Sequence, residues 1–408
     1  MTDFLIKLAS EDYKKAKKSK EAASIAIILS EKDRLRLGVM SGVVGIVLNI
    51  ILSVFKVIFG TITKSISIVA DGVNNIFDAV SSIISLVGFK ISGKPADDEH
   101  PFGHGRVEYI SALTLAFFIL LMGFELIKSS VDKFTNPEAV IFSIPAVVVL
   151  VFSIIGKIWL AFFNKKIGKL MSSVTVDAVV TDSIGDIAAT TCSLIALIAS
   201  KYTDLPIDAV MGIIVALVVI YAGIGIIRDT MGPLLGEPPA KEIVEKLEKT
   251  VLSYDGVVGI HDLVLHSYGH SRIIGSVHAE VPADKDILAS HDLIDTIERD
   301  IRQKLGIEIS IHLDPVLIND ERTNKYKAIV AGIIADISPD ITMHDFRVVD
   351  GPTHTNLIFD LVLPRKSNMT EQALKEKVDS MVKEKDSRCF AVIDVDRSFT
   401  ALRRELCI

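Results

Sequence analysis

The chain has 408 residues, half of them hydrophobic, a mean hydropathy of +0.45 and a formal net charge of −7 at pH 7. Its apolar mass is Ile, Val, Leu and Ala, with aromatics at only 6%, a balance that excludes an ordinary soluble protein. Lys and Arg gather near the ends of apolar runs and the second half is acidic overall, which leaves no basic stripe to meet nucleic-acid phosphates.

Residues 1–36 read as a charged cytoplasmic N-terminal segment, a soluble amphipathic helix without the apolar run of a signal peptide. Lys14, Lys15, Lys17, Lys18, Lys20, Lys32, Arg34 and Arg36 hold it on the cytoplasmic side under the positive-inside rule. A six-span transmembrane domain is predicted over 37–232, with apolar runs near 38–60, 65–91, 107–130, 138–163, 174–200 and 206–228. Each is close to the ~20 residues a hydrocarbon core requires. Lys90, Lys94 and Arg106 follow the second run and Lys165, Lys166 and Lys169 the fourth, whereas Lys64 and Lys201 lie on the sparser opposite side. Both termini are therefore expected in the cytoplasm of a multi-pass cell-membrane protein. Lys157 and Trp159 in the fourth run are explained by snorkelling and an interfacial belt.

The second and fifth runs carry the chemistry. Asn74 and Asp78 are four residues apart, as are Asp182 and Asp186, so each pair stacks on one helix face. Carboxylates at membrane depth are costly and mark an ion pathway by default. Three carboxylates and one amide oxygen suit a cation. Asp71, one turn before Asn74, falls at the edge of that set, as an entrance residue or a helix-end polar group.

After Gly236-Glu-Pro-Pro the pattern changes to alternating helices and strands. A small α+β module is expected over 238–318: a helix from Ala240 to Leu252, strands over 259–267, 273–281 and 308–313, and a helix over 287–305. Residues 325–408 repeat it. His261-Asp262 recurs as His344-Asp345, the stretch around His278 as that around Asp360, and His312-Leu-Asp314 as Asp394-Val-Asp396. The three Cys (Cys192, Cys389, Cys407) follow no C-x-x-C spacing, which argues against a disulfide framework or thiolate metal site.

Between the second and third runs stands Lys94-Pro-Ala-Asp97-Asp98-Glu99-His100-Pro-Phe-Gly103-His104-Gly-Arg106-Val-Glu108. Here the sequence resembles the cation diffusion facilitator family of divalent-metal/proton antiporters. The four-spaced pairs, Asn49 and Lys56 in the first run, Pro206-Ile-Asp208 and His312-Leu-Asp314-Pro315 extend the resemblance across about 38–318. It implies a membrane α-helical fold of six transmembrane helices with cytoplasmic, ferredoxin-like α+β modules, here duplicated in tandem. It also implies a homodimer, no enzymatic activity, and metal ligands at Asn74, Asp78, Asp182 and Asp186 for transport. Further sites are implied at Asp97, His100 and His104 in the loop, and at His261, His278, His312 and Asp314, with His291 bridging, in the first module. His344, Asp360, Asp394 and Asp396 occupy corresponding places in the second module. His266 and His270 have no counterpart in the family pattern and read as surface residues.

Zinc favours His nitrogen and Cys sulfur, whereas carboxylate and carbonyl oxygens suit manganese. The Asn-Asp/Asp-Asp set resembles the manganese-exporting branch, with Mn2+ as transported substrate and Zn2+ or another divalent metal at regulatory sites. A Zn2+ or Fe2+ exporter of the same family is the alternative. An intramembrane aspartyl protease is a remote rival, since two membrane Asp could form a dyad, but the Gly-x-Gly-Asp form is missing at Ser183-Ile-Gly185-Asp186. A passive channel would call for acidic rings along a pore rather than one compact quartet.

Overall fold

The structure, a computed structural model, describes residues 2–11, 13–14, 29–62, 66–135, 143–199, 207–269, 272–318, 320–364, 367 and 369–396. Lys15 to Lys20, Lys64, Lys201, Pro206, His270 and Cys407 lie outside the described residues. Two compact units divide the chain, Met1–Gly236 and Glu237–Ile408.

In the first unit a short helix α1 (Thr2–Ala9) precedes six long ones: α2 (Glu31–Ile62), α3 (Ile66–Ser92), α4 (Val107–Thr135), α5 (Ile144–Met171), α6 (Val174–Ala199) and α7 (Ile207–Leu234). The six are long and apolar enough to cross a membrane. Several ends differ from the sequence expectation, because polar and charged residues join the helical turns beyond the apolar stretch. Helix α2 starts at Glu31 rather than near 38, α4 runs to Thr135 rather than 130, α5 spans Ile144 to Met171 rather than 138–163, and α7 runs to Leu234 rather than 228.

Side chains are sorted as a bilayer demands. Val43, Val47, Ile50, Val54 and Ile58 of α2 face outward. Ser41, Asn49, Ser53 and Lys56 of the same helix are buried, as are Asn75, Asp78, Ser82 and Ser85 of α3 and Ser153, Lys157 and Asn164 of α5. Lipid is as apolar as Leu, so helices associate through close small-residue contacts and buried polar groups. Gly38, Gly42 and Gly45 of α2 supply the close contact. A Cβ at Gly42 would lie 2.6 Å from Leu86 Cβ and 3.1 Å from its Cα, and one at Gly45 would lie 2.6 Å from Ser82 Oγ.

A polar junction ties the helix ends. Arg34 Nη2 donates to both Glu108 oxygens at 2.9 and 3.1 Å, and Arg34 Nη1 donates to the Met171 carbonyl. Ser173 Oγ donates to Glu108 Oε1 at 2.6 Å and Thr175 Oγ1 to the Glu108 carbonyl at 2.7 Å. The Glu of the loop motif thus fastens α2, α4 and the α5–α6 turn. The N-terminal helix joins this end too: Ile6 packs with Leu37, Phe89, Leu160 and Phe163, and Ser10 Oγ donates to Asp33 at 2.8 Å.

The second unit contains two αββαβ modules. The first comprises α8 (Lys241–Leu252), β1 (Gly259–Ser267), β2 (Ile273–Pro282), α9 (Ile287–Leu305) and β3 (Ile307–Val316). The second comprises α10 (Glu321–Ile337), β4 (Thr342–Asp350), β5 (Thr355–Val362), α11 (Glu371–Lys385) and β6 (Cys389–Asp396). Both sheets run in chain order, with an antiparallel first pair and a parallel second pair. This is a ferredoxin-like sheet without its first strand. Each has its own core, around Val277, Ile297 and Ile301 in one and Phe359, Leu374 and Val378 in the other.

The registers of the two sheets correspond position by position. His261, His278 and His312 form one row across the first sheet, and His344, Asp360 and Asp394 the equivalent row across the second. Each first strand carries a bulge just after that His, between His261 and Val264 and between His344 and Arg347. At each bulge an Asp has left-handed backbone, Asp262 at φ 50° and Asp345 at φ 49°. Asp tolerates that conformation better than most residues, and a bulge there re-aims neighbouring side chains.

The Gly42 contact generates a prediction. Because the Leu86 backbone cannot retreat, Gly42→Leu should splay α2 from α3, at the ~1–3 kcal/mol typical of overpacking. Thermal unfolding of the detergent-solubilised protein should shift down by several degrees, whereas Val43→Leu on the outward face should leave it unchanged.

Candidate functional site

Asp78 of the first pair meets both members of the second, between α3 and α6. Asp78, Asp182 and Asp186 each offer a carboxylate oxygen within 4.8 Å of the others. Asp78 is 2% exposed and Asp186 8% exposed, and Asp78 Oδ1 accepts no hydrogen bond from the described residues. Asn74 is half-buried one turn before Asp78 on α3.

A cation of the chain's own shares these oxygens. Lys157 Nζ of α5 lies 2.7 Å from Asp78 Oδ2 and 2.6 Å from Asp186 Oδ2. This corrects the snorkelling explanation. Lys157 is 3% exposed and stands fourteen residues before the helix end at Met171, about 21 Å along the axis. Lys165, Lys166 and Lys169 already occupy the flank, so the depth of Lys157 was a signal available in the sequence.

A second lysine extends the network. Lys56 Nζ, 2% exposed, lies 2.8 Å from Asp71 Oδ2 and donates to Asn75 Oδ1 at 2.6 Å. Asn75 Nδ2 in turn donates to Asp78 Oδ2 at 3.0 Å. Asp71 is therefore the counter-ion of Lys56. Asn75, passed over in the sequence reading for its neighbour Asn74, fixes the orientation of Asp78.

The loop triad also converges. His100 N donates to Asp97 Oδ1 at 2.7 Å, His104 Nε2 lies 3.4 Å from Asp97 Oδ2, and the two imidazoles sit 4.5 Å apart. The His100 amide, then the two imidazoles, hold the Asp97 carboxyl below its ordinary value. Asp97 and His100 are exposed, whereas His104 is held against the Pro95 carbonyl at 3.2 Å.

In the first cytoplasmic module Asp314 gathers three imidazoles. Its carboxylate lies 3.1 Å from His261 Nε2, 2.8 Å from His278 Nδ1 and 3.3 Å from His312 Nε2. Asp262, which the sequence reading did not single out as a ligand, joins His261 at 3.1 Å and forms a group with His261 and His278. Burial pulls the His261 pKa down, but Asp262, Glu280 and Asp314 outweigh it and leave it raised. His291 stands apart on α9: it is exposed, and its near neighbour is Asp295 at 3.9 Å. His266 is exposed.

In the second module Asp360 is pushed up to about 6, first by burial and then by Asp345, Asp396, Asp394 and Asp262. Asp396 is also raised, by burial and then by Asp262 and Asp394. Of the four corresponding residues, His344 and Asp396 come together, with Asp262 of the first module as their third partner.

Comparison with known proteins agrees with this layout. Residues 42–235 match the family model described as the cation efflux transmembrane domain, and 239–316 match the cation efflux protein, cytoplasmic domain. The second module lies beyond both matches. An uncharacterised transporter of Methanocaldococcus jannaschii is 30% identical over 67% of this chain and 97% of its own length. The manganese efflux system protein MneS of Bacillus subtilis is 27% identical over 70% of this chain and 98% of its own. A cation-efflux pump FieF of Salmonella newport is 27% identical over 65% and 89%.

The raised Asp360 pKa predicts a pH dependence. Because the folded value of about 6 exceeds the unfolded value of ~3.9, the folded state holds the extra proton between them. Stability therefore falls as pH rises through that window and stays lowered above it. Asp360→Asn should raise the unfolding midpoint of the metal-free cytoplasmic unit at pH 7, and the gain over the parent should vanish near pH 4 in thermal scans.

Proposed function

The chain belongs to the cation efflux family and is a transporter rather than an enzyme, and we propose that it exports Mn2+ from the cytoplasm in exchange for protons. The observation that carries this reading is the all-oxygen cage of Asp78, Asp182 and Asp186 inside a polar membrane interior, with Asn74 one turn away. Oxygen donors suit manganese better than zinc, and MneS, one of the relatives, bears the name of a manganese efflux protein. The membrane is the cell membrane, both termini face the cytoplasm, and the working unit is a homodimer. The residues grouped in the loop and in the first module bind divalent metal as regulatory sites.

Lys157 gives the exchange a physical form. Three carboxylates and one ammonium (Asp78, Asp182, Asp186, Lys157) sum to −3 + 1 = −2. One divalent ion cancels that charge, and so do two protons. Metal or protons can therefore leave the site neutral in a low-dielectric interior, where uncompensated charge is costly. An incoming Mn2+ competes with the ammonium for Asp78 Oδ2 and Asp186 Oδ2. Lys157 thereby weakens retention of the ion and assists its release on the far side. Alternating exposure of the cage then moves metal outward while protons return.

Proteoliposome flux tests this. Mn2+ uptake driven by an opposing proton gradient is expected, and uptake indifferent to the gradient would contradict antiport. Asp182→Ala should abolish flux while the protein still inserts, and Asp182→His should move preference from Mn2+ toward Zn2+. An unchanged metal ratio would remove the selectivity argument. Lys157→Met should lower both KM for Mn2+ and maximal flux, KM by about tenfold, equivalent to ~1.4 kcal/mol. An unaltered KM would show that the ammonium does not compete.

A further inference from the structure

The duplicated modules touch through equivalent residues. The His261 and His344 rings stack at 4.2 Å and 22°, and the two side chains are 3% and 4% exposed. Contact between equivalent residues is the mark of a two-fold relation, here a pseudo-two-fold inside one chain. Beside that stack, Asp262 Oδ1 lies 3.7 Å from His344 Nε2. Asp262, His344 and Asp396 offer ligand atoms all within 4.8 Å of one another.

We propose that Asp262, His344 and Asp396 form a divalent-cation site that joins the two cytoplasmic modules of one chain. Its donor set follows from the duplication. Asp396 stands in β6 where Asp314 stands in β3, and His344 where His261 stands, so the second module supplies the counterpart of the His261–Asp314 pair. The third ligand comes from the other module. It reaches across because the β1 bulge turns Asp262 at left-handed φ.

The surroundings call for a cation. Asp345, Asp360 and Asp394 face the same region as Asp262 and Asp396, and the nearby Lys375 pairs with Asp394 at 3.6 Å. Two carboxylate oxygens and one imidazole nitrogen suit a divalent ion of the manganese, iron(II) or zinc class. Asp262 is also in contact with His261 of the first-module cluster, so occupancy here would orient a ligand of that cluster. The site therefore couples the second module to the metal chemistry of the first.

Hydrogen exchange on the full-length protein, titrated with Mn2+ in an Asp182→Ala background, tests the site apart from transport. Mn2+ is expected to slow exchange in 342–350, a segment outside the first-module cluster, as well as in 259–267. Asp262→Asn keeps a residue suited to left-handed backbone, and should weaken the response of 342–350, in the other module, by roughly tenfold or more. Asp396→Asn, which leaves the first-module cluster intact, should weaken the response of 342–350 by a like factor. Metal-free exchange rates equal to the parent's establish that each variant is folded, and the variant that meets this criterion is the one read. Absence of Mn2+ protection in 342–350, or protection there that survives Asp262→Asn, would overturn the proposal.

Discussion

Everything in the membrane unit depends on burying several charges where water cannot help them. Lys157 bridging Asp78 and Asp186 is the arrangement that makes this tolerable. A lone carboxylate in such a place is expensive, and a buried pair repays its desolvation only with close geometry and further hydrogen bonds. The chain supplies both: two short ion contacts to one ammonium, and the Lys56–Asn75–Asp78 relay behind them. An ion-binding site that must release its ion cannot be left to collapse when the ion goes. Under the proposed exchange, a tethered cation keeps the three carboxylates from collapse when the ion leaves.

That arrangement constrains the helices. The relay from Asp71 through Lys56 to Asp78 crosses from α3 to α2 and back, and at that level Gly72 lets the two helices approach, since a Cβ there would lie 3.1 Å from Lys56 Cβ. The Arg34–Glu108 junction fixes the other end of the same bundle and joins the α5–α6 turn to it. Helices α5 and α6, which carry Lys157 and Asp186, are thus indexed against α2 and α4. In the cytoplasmic unit the same economy recurs in a sheet, where one carboxylate, Asp314, organises three imidazoles.

Much of this was legible in the residues. Spacing of four within an apolar run places Asp182 and Asp186 on one face whatever the tertiary structure, and the motif around His100 and Glu108 located the loop. The tandem modules were visible because His261-Asp262 and His344-Asp345 head two series of stretches that recur in the same order, and the two sheet registers run alike. Lys157 was misread because its run was ended near 163, which put it close to the flank; the helix continues to Met171, and the carboxylates it faces are a property of the packed bundle. Asn75 was missed because Asn74 and Asn75 stand at i−4 and i−3 from Asp78, and only the packing of Lys56 against α3 singles out the second. Asp262 was missed because period-two alternation does not reveal a bulge, and the left-handed turn that aims its side chain is a property of the folded strand pair.

The exchange of an ammonium for a divalent ion at one set of oxygens is the central claim. Anomalous diffraction at the manganese edge, on crystals of the full-length protein grown with and without Mn2+, addresses it most directly. The expected result is a peak ligated by Asp78, Asp182 and Asp186, with Lys157 Nζ drawn away from Asp78 Oδ2 and Asp186 Oδ2 relative to the metal-free crystals. A membrane interior without such a peak, with Lys157 still bridging both carboxylates while Mn2+ fills the cytoplasmic clusters, would contradict it.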